Sequence, residues 1–121
     1  MLLCALIALT MAPPMQTGNM SWYGEGFHGD STAFGEIYDM NMISVAHRTL
    51  PAGRVVLMEY HGRYSLVLVT DRGPYVSGRV FDGSRVLFKW LVREDCHLGV
   101  VPVNYWVLPF RIIRPTMLYN L

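Results

Sequence analysis

The sequence predicts a mainly β protein, a small barrel of about six short strands with one short helix. Short apolar runs rich in β-branched and aromatic residues alternate with turns that contain Gly and Pro. Only one segment carries apolar residues at helical spacing. The composition, with 52% hydrophobic and 16% charged residues, 11 Gly and 7 Pro, is typical of a compact, turn-rich β domain. A chain of 121 residues is long enough for one such domain with a buried core.

The first strand candidates lie in the amino-terminal half of the chain. "MSWYG" at 20–24 is the first, and the glycine-rich segment 24–36 that follows it is expected to be loop or turn. "MISVAH" at 42–47 is strand-like and runs into a Pro-Gly turn at 48–53. These two strands are therefore expected to be separated by a long irregular loop.

A hairpin and a last strand complete the predicted sheet. "RVVLMEY" at 54–60 and "YSLVLVT" at 64–70 flank a short loop with Gly, a pattern that predicts a β-hairpin. Both alternating faces of 54–60 are mostly apolar, which suits a strand in a small closed barrel. The segment 99–113 returns to strand, and Pro102 and Pro109 restrict it to edges or strand ends.

The predicted helix is "GSRVLFKWLVRED" at 83–95. Ser84 is a suitable N-cap, because its side-chain oxygen can accept a hydrogen bond from the first helical turn. Four apolar residues fall on one face at helical spacing, and these are Val86, Leu87, Trp90 and Leu91. We expect this face to pack against the barrel.

The amino terminus predicts export. Glu25 is the first charged residue, and residues 2–12, "LLCALIALTMA", form an apolar run too short to cross a bilayer comfortably. Its length is typical of a signal-peptide core, although no Lys or Arg precedes it and Pro13 follows the best cleavage site. The alternatives are an uncleaved export anchor or a buried strand or helix. We expect a protein of the periplasm or cell envelope.

The predicted domain organisation follows from these features. It comprises a signal peptide or export anchor at 1–12, a linker at 13–19, a barrel domain at 20–115 and a tail at 116–121. Cys4 lies in the leader and leaves Cys96 alone, so no intramolecular disulfide is expected.

The charge balance and the placement of Cys and His indicate which partners the protein is not expected to bind. Ten basic and nine acidic residues give a net charge of +1, which does not indicate a nucleic-acid partner. Cys96 and His97 are adjacent, but two residues do not make a zinc site, so a buried or incidental thiol is expected. We expect no metal, no organic cofactor and a monomeric protein.

The stretch "VTDRGPYVSGRVFD" at 69–82 allows two interpretations of Asp71. Its side chain can cap the turn formed by Arg72, Gly73 and Pro74. Alternatively, the turn presents the carboxylate to the floor of a cleft. Arg79 and Asp82 are expected to pair with each other or to bind backbone groups, and neither is expected to be catalytic.

Four segments together resemble a known family. They are "SWYGEGFHGDSTAFGEIYD", "SVAHRTLPAG", "VTDRGPYVSGRVFD" and "GVVPV", in this order. Their motifs resemble the double-psi β-barrel domain of rare lipoprotein A, closely over residues 21–86 and loosely to 114. The resemblance implies a six-stranded double-psi barrel. It also implies a lytic transglycosylase of peptidoglycan, and the barrel is shared with expansins that bind cell walls.

The resemblance also implies the site residues. The carboxylate of "DRGP", here Asp71, is the favoured catalytic acid, and Glu36 and His47 complete the implied site. The chain departs from the family pattern at Phe34, where Asn is usual, and in "FDGS" at 81–84. From this sequence we expect no glycan-binding repeat domain after the barrel.

Cleavage of a glycosidic bond needs an acid that protonates the leaving oxygen. A lytic transglycosylase needs no second carboxylate to activate water, because the C6 hydroxyl of the sugar attacks and closes a 1,6-anhydro ring. One carboxyl group, here Asp71, can then serve as acid and afterwards as base. The expected reaction is endolytic cleavage between N-acetylmuramic acid and N-acetylglucosamine in peptidoglycan glycan strands.

Four further residues are candidates for substrate binding. Trp22 and Tyr23 are expected to stack on sugar rings, and His28 and Arg72 to line the groove, although core packing and loop support are the alternatives. A non-catalytic glycan-binding module similar to the expansins is the alternative function.

Overall fold

The computed structural model describes residues 13–23 and 25–112. The predicted signal peptide or anchor at 1–12 and the predicted tail at 116–121 lie outside the described residues. Within the described part of the chain, no helix is long and apolar enough to cross a membrane.

Six strands close into a barrel in the order β1-β5-β2-β4-β3-β6. The strands are β1 (Gln16–Tyr23), β2 (Ser44–Ala46), β3 (Arg54–Tyr60), β4 (Arg63–Asp71), β5 (Phe81–Ser84) and β6 (Val101–Arg111). The helix α1 (Arg85–Val92) follows β5, and short 3₁₀ turns cover Glu25–Phe27 and Arg93–Leu98. The predicted mainly β barrel with one short helix is confirmed.

Two parallel strand pairs organise one end of the barrel. β1 pairs with β5 and β2 pairs with β4 in parallel, whereas the other neighbours are antiparallel. The register places Ala46 opposite Asp71 on one side and opposite Asp82 on the other. Tyr23 and Asp71 are the last residues of β1 and β4. Side chains from four strands therefore meet at this end.

The predicted hairpin is confirmed. β3 and β4 pair from Val55 opposite Leu68 to Tyr60 opposite Arg63, which leaves a loop of His61 and Gly62. Both loop residues have positive φ, 48° and 80°, as a tight hairpin turn that matches the strand twist requires.

The first strand begins earlier than predicted. Residues 16–19 belong to β1 instead of the linker, because their backbone pairs with β6 from Gln16 opposite Tyr105 onward. Gly18 fits closely under its neighbour, since a Cβ there would lie 2.6 Å from Val80 Cγ2. The segment was not predicted as a strand because its residues are mostly polar. It is largely exposed, and backbone hydrogen bonds to β6 hold it in the sheet.

The helix is confirmed, but its buried face was partly mispredicted. Leu87, Phe88, Leu91 and Val92 are buried against the barrel. Trp90 is 50% exposed, and the Arg93 guanidinium lies 4.7 Å from its ring centre at the surface. Phe88 replaces it in the core and approaches Trp22 at 6.5 Å between ring centres. The short β5 was missed because "FDGS" is too brief and too rich in turn residues to predict a strand.

The last strand is continuous despite its prolines. Pro102 lies near its start and pairs only toward β1, opposite Asn19. Pro109 lies where the register between β3 and β6 shifts, between Val107 and Arg111. One position lies near a strand end and the other at a register irregularity, where Pro is tolerated within a sheet.

The cap of α1 yields a stability prediction. The buried Ser84 Oγ accepts hydrogen bonds from Leu87 N at 3.4 Å and Ser44 N at 3.3 Å. Ser84→Ala removes the acceptor of two buried N–H groups and should lower the free energy of unfolding by about 2 kcal/mol. Urea denaturation measures this loss. The exposed Ser77 provides the control, and an equal loss in Ser77→Ala would contradict the explanation.

Candidate active-site cleft

A cleft of about 240 Å³ opens at the end of the barrel where the parallel pairs finish. Three carboxylates and several aromatic rings lie around it. The lining residues are Tyr23, Phe27, Asp30, Ser31, Tyr38, Ala46, Asp71, Arg72, Gly73, Pro74, Tyr75 and Asp82. Of the seven predicted site residues, the structure brings Asp71, Tyr23 and Arg72 to this cleft.

Asp71 caps its turn and also lines the cleft. Its Oδ1 accepts hydrogen bonds from Arg72 N at 2.8 Å and from Ala33 N at 2.7 Å. The first bond caps the turn, and the second joins β4 to the glycine-rich loop. Oδ2 takes part in neither bond. Both interpretations of the turn are therefore correct in this structure.

Asp82 is a cleft residue that sequence reasoning missed. Ser21 Oγ donates a short hydrogen bond to Asp82 Oδ1. A Cβ placed on Gly73 would lie 3.8 Å from Asp82 Oδ2, so this carboxylate faces the turn after Asp71. Because the neighbours of Ala46 are Asp71 and Asp82, the two backbones lie two strand spacings apart, about 10 Å. No local signal in "FDGS" predicts this arrangement, because the strand is defined by its pairing with the distant strands β1 and β2.

An aromatic wall borders the two carboxylates. The Tyr23 ring stacks on Tyr38 at 4.2 Å between ring centres and meets the edge of Phe27 at 5.6 Å. Tyr38 OH donates to Tyr23 O at 2.6 Å. Burial raises the pKa of the Tyr23 hydroxyl, and the nearby Asp71 charge raises it further. At neutral pH this hydroxyl is therefore a donor.

Arg72 lines the cleft and also holds the neighbouring backbone in place. Its Nη1 donates to His47 O at 3.1 Å and to Leu50 O at 2.5 Å. The guanidinium also lies 4.5 Å from the ring centre of Phe34, which is buried. The unusual Phe34 thus provides an apolar platform for Arg72, and it anchors the loop that contacts Asp71.

His47 is a half-buried histidine beside the cleft and does not line it. Its Nδ1 accepts hydrogen bonds from Thr49 N at 3.1 Å and from Leu50 N at 3.0 Å, which requires a ring without a proton at that nitrogen. Burial lowers the pKa of His47, and the charges of Arg48 and Arg72 lower it further. The His47 backbone N–H donates to Asp71 O at 3.1 Å.

Glu36 closes the loop that holds Asp71. Its carbonyl oxygen accepts a hydrogen bond from Thr32 N at 2.5 Å, and Ser31 forms a bridge with Ile37. This turn directs Ala33 N toward the Asp71 carboxylate. Glu36 is not among the lining residues of the cleft.

Trp22 and His28 lie outside the cleft. Trp22 points to the opposite side of β1 from Tyr23 and lines a separate hollow with Phe88 and Cys96. His28 Nδ1 accepts from Met40 N at 3.2 Å. The exposed aromatic residues that do line the cleft are Phe27, at 54% exposed, and Tyr75, at 81%.

The Cys96 thiol and the possible metal-binding side chains of the described residues are further candidates for a site. Burial raises the pKa of Cys96, whose Sγ lies 3.5 Å from Phe88 O. Across residues 13–23 and 25–112, His, Cys, Asp and Glu side chains form no group of three that could hold a metal ion.

Fold and cleft together define a six-stranded double-psi β-barrel with carboxylates at the end of its parallel strands. The lytic transglycolase family model matches residues 15–105, and the chain belongs to this family. The resemblance to the rare lipoprotein A family is thereby confirmed.

Curated relatives carry the name endolytic peptidoglycan transglycosylase RlpA. The protein of Neisseria meningitidis serogroup A is 47% identical over 72 residues, covering 58% of this chain and 30% of the relative. The Campylobacter jejuni protein is 43% identical over 95 residues, covering 77% and 34%. The Pseudomonas aeruginosa protein is 39% identical over 97 residues, covering 74% and 28%. The chain thus spans about a third of the length of these relatives.

Solved structures share the barrel. The Streptomyces papain inhibitor superposes with a TM-score of 0.63 at 25% identity, covering 79% of this chain and 96% of that one. A single-site mutant of a Clavibacter michiganensis expansin in complex with cellohexaose gives a TM-score of 0.65 at 14% identity, covering 84% and 54%. These likenesses confirm the fold.

The environment of His47 predicts a pH dependence of stability. Because its pKa is lowered on folding, the unfolded chain binds a proton more readily as the pH falls below about 6.5. The free energy of unfolding should therefore decrease with falling pH, by at most about 1.4 kcal/mol per pH unit for this single proton. His47→Asn, which keeps an acceptor oxygen, should remove this part of the slope. Urea denaturation between pH 7.5 and 5 measures it.

The exposed Ser77, which has no titratable side chain, offers the control. Ser77→Ala should keep the slope of the parent protein. An unchanged slope in His47→Asn would contradict the assignment of this titration to His47.

Proposed function

We propose that the protein is an endolytic lytic transglycosylase that cuts peptidoglycan between N-acetylmuramic acid and N-acetylglucosamine and leaves 1,6-anhydro ends. The observation that carries the proposal is the Asp71 carboxylate, fixed by two backbone hydrogen bonds within an open cleft. Membership of the lytic transglycolase family and the names of the relatives support the same reaction.

In the proposed mechanism Asp71 acts first as acid and then as base. Oδ2, which accepts neither backbone bond, carries the proton to the glycosidic oxygen as the bond from that oxygen to the sugar C1 breaks. The C6 hydroxyl oxygen of the same sugar then bonds to C1 and closes the anhydro ring. Its proton returns to Asp71, so the reaction consumes no water and regenerates the acid.

Asp82 has a charge-stabilising role in this proposal. The transition state has oxocarbenium character, and a second carboxylate across the cleft favours positive charge there. The hydrogen bond from Ser21 holds one oxygen of Asp82 and leaves Oδ2 facing the turn after Asp71.

Glu36 and His47 act in the proposal through the backbone around Asp71. The turn closed by Glu36 supplies the Ala33 donor, and His47 bonds the carbonyl of Asp71. The exposed rings of Tyr75 and Phe27 flank the cleft and would contact sugar faces, as aromatic residues in open grooves do. We further propose that the protein acts in the periplasm or cell envelope, and a peptidoglycan substrate supports this location. We expect a monomer.

Digestion of glycan strands tests the proposal. Purified strands, with and without stem peptides, are incubated with the protein and with Asp71→Asn, and the products are read by mass spectrometry. The parent should release anhydro-ended fragments. Asp71→Asn should reduce the rate by at least about 10²-fold, the usual contribution of a general acid.

Asp95→Asn is the matched control, because Asp95 lies outside the cleft and its amide oxygen can still accept from Tyr60 OH. It should digest the strands like the parent. Products with reducing ends formed by water would replace the transglycosylase with a hydrolase. Retention of the protein on the strands without any product would indicate the glycan-binding module.

A further inference from the structure

The Tyr23 side chain lines the cleft with its ring packed against other aromatic rings and its hydroxyl without a hydrogen-bond partner among the described residues. One face of its ring stacks on Tyr38 at 4.2 Å between ring centres, and the ring of Phe27 lies at 5.6 Å in a T-shaped contact. These contacts leave less of the ring for a sugar to stack on, so the hydroxyl is the group to consider for contact with a ligand.

The Tyr23 hydroxyl is buried and has no hydrogen-bond partner among the described residues. The Thr70 side chain is near enough to affect its pKa, yet the contact lacks the geometry of a hydrogen bond. A buried hydroxyl without a partner costs free energy, because it has lost its bonds to water. Such a cost at a cleft suggests that the partner arrives with the ligand.

The surroundings of the hydroxyl restrict the ligand. Tyr23 shares the cleft with Asp71 and Asp82, and both charges act on its hydroxyl. A carboxylate or phosphate would be repelled by these two side chains. A neutral sugar hydroxyl is suited to the position, because it can accept from Tyr23 and donate to a carboxylate at the same time.

We propose that Tyr23 binds the glycan through its hydroxyl, which donates a hydrogen bond to a sugar hydroxyl held between Tyr23 and the carboxylates of Asp71 and Asp82. The inference rests on the proposed function and adds the group that orients the sugar in the cleft. It assigns sugar stacking to the exposed rings of Tyr75 and Phe27 instead.

Tyr23→Phe separates a binding role from a structural one. The substitution keeps the ring stack and removes a hydroxyl that is unpartnered in the free protein, so the melting temperature should stay the same or rise. Affinity for glycan strands without stem peptides should fall about tenfold, as expected for one lost hydrogen bond. Binding is measured in the Asp71→Asn background to prevent cleavage, where Asp82 remains as the carboxylate acceptor. The value of kcat/KM is measured with both carboxylates intact.

Tyr60→Phe is the matched control. Tyr60 is buried, lies outside the cleft, and donates its hydroxyl to Asp95 at 2.5 Å. This variant should show the reverse pattern, a lower melting temperature with unchanged glycan affinity. Opposite responses of the two variants would support the inference.

The remaining outcomes contradict it in distinguishable ways. Unchanged affinity and kcat/KM in Tyr23→Phe would overturn the role of Tyr23 and leave the transglycosylase intact. A melting temperature lowered as in Tyr60→Phe would show a structural partner for the hydroxyl and overturn it as well. If Asp71→Asn binds no glycan and the parent forms no product, the proposed function fails and this inference fails with it.

Discussion

The Asp71 carboxylate holds the functional end of the barrel together. One of its oxygens accepts from Arg72 N within the turn and from Ala33 N in the glycine-rich loop. The glycine-rich loop is distant from β4 in sequence, so this bond fixes the position of the loop relative to the strand. The proposed acid therefore also has a structural role, and its own position is set by backbone groups that cannot change rotamer.

Further contacts hold the segments around Asp71 in place. Arg72 connects the backbone at His47 and Leu50 with the ring of Phe34, so one guanidinium joins two loops and the core. His47 turns its own ring toward the following backbone and contacts Phe81 at 5.2 Å between ring centres. Polar residues that look catalytic in the sequence therefore divide into those that face the cleft and those that support it.

The sequence predicted the barrel, the hairpin and the capped helix, because apolar periodicity and turn chemistry are local signals. It also predicted that Asp71 is presented by a turn. It did not predict β5 or the position of Asp82 in the cleft, since a four-residue strand is defined only by its pairing with β1 and β2.

The sequence also gave no guide to which side of β1 would face the cleft. Trp22 and Tyr23 alternate along the strand, and their roles depend on a closure that brings Phe88 to one side and Tyr38 to the other. Phe34 was interpreted as a departure from a pattern, whereas its packing under Arg72 depends on a contact between distant segments.

The parallel pairing has a kinetic consequence for the whole domain. β1 joins β5 through Met20 and Phe81, and β2 joins β4 through Ser44 and Leu68, so both ladders close only across long stretches of chain. Closing such long loops loses chain entropy before the favourable contacts between the strands form, and this slows folding. The strand residues of the cleft, such as Tyr23, Asp71 and Asp82, lie on strands of these two ladders. We therefore expect the domain to fold more slowly than a helical domain of equal size.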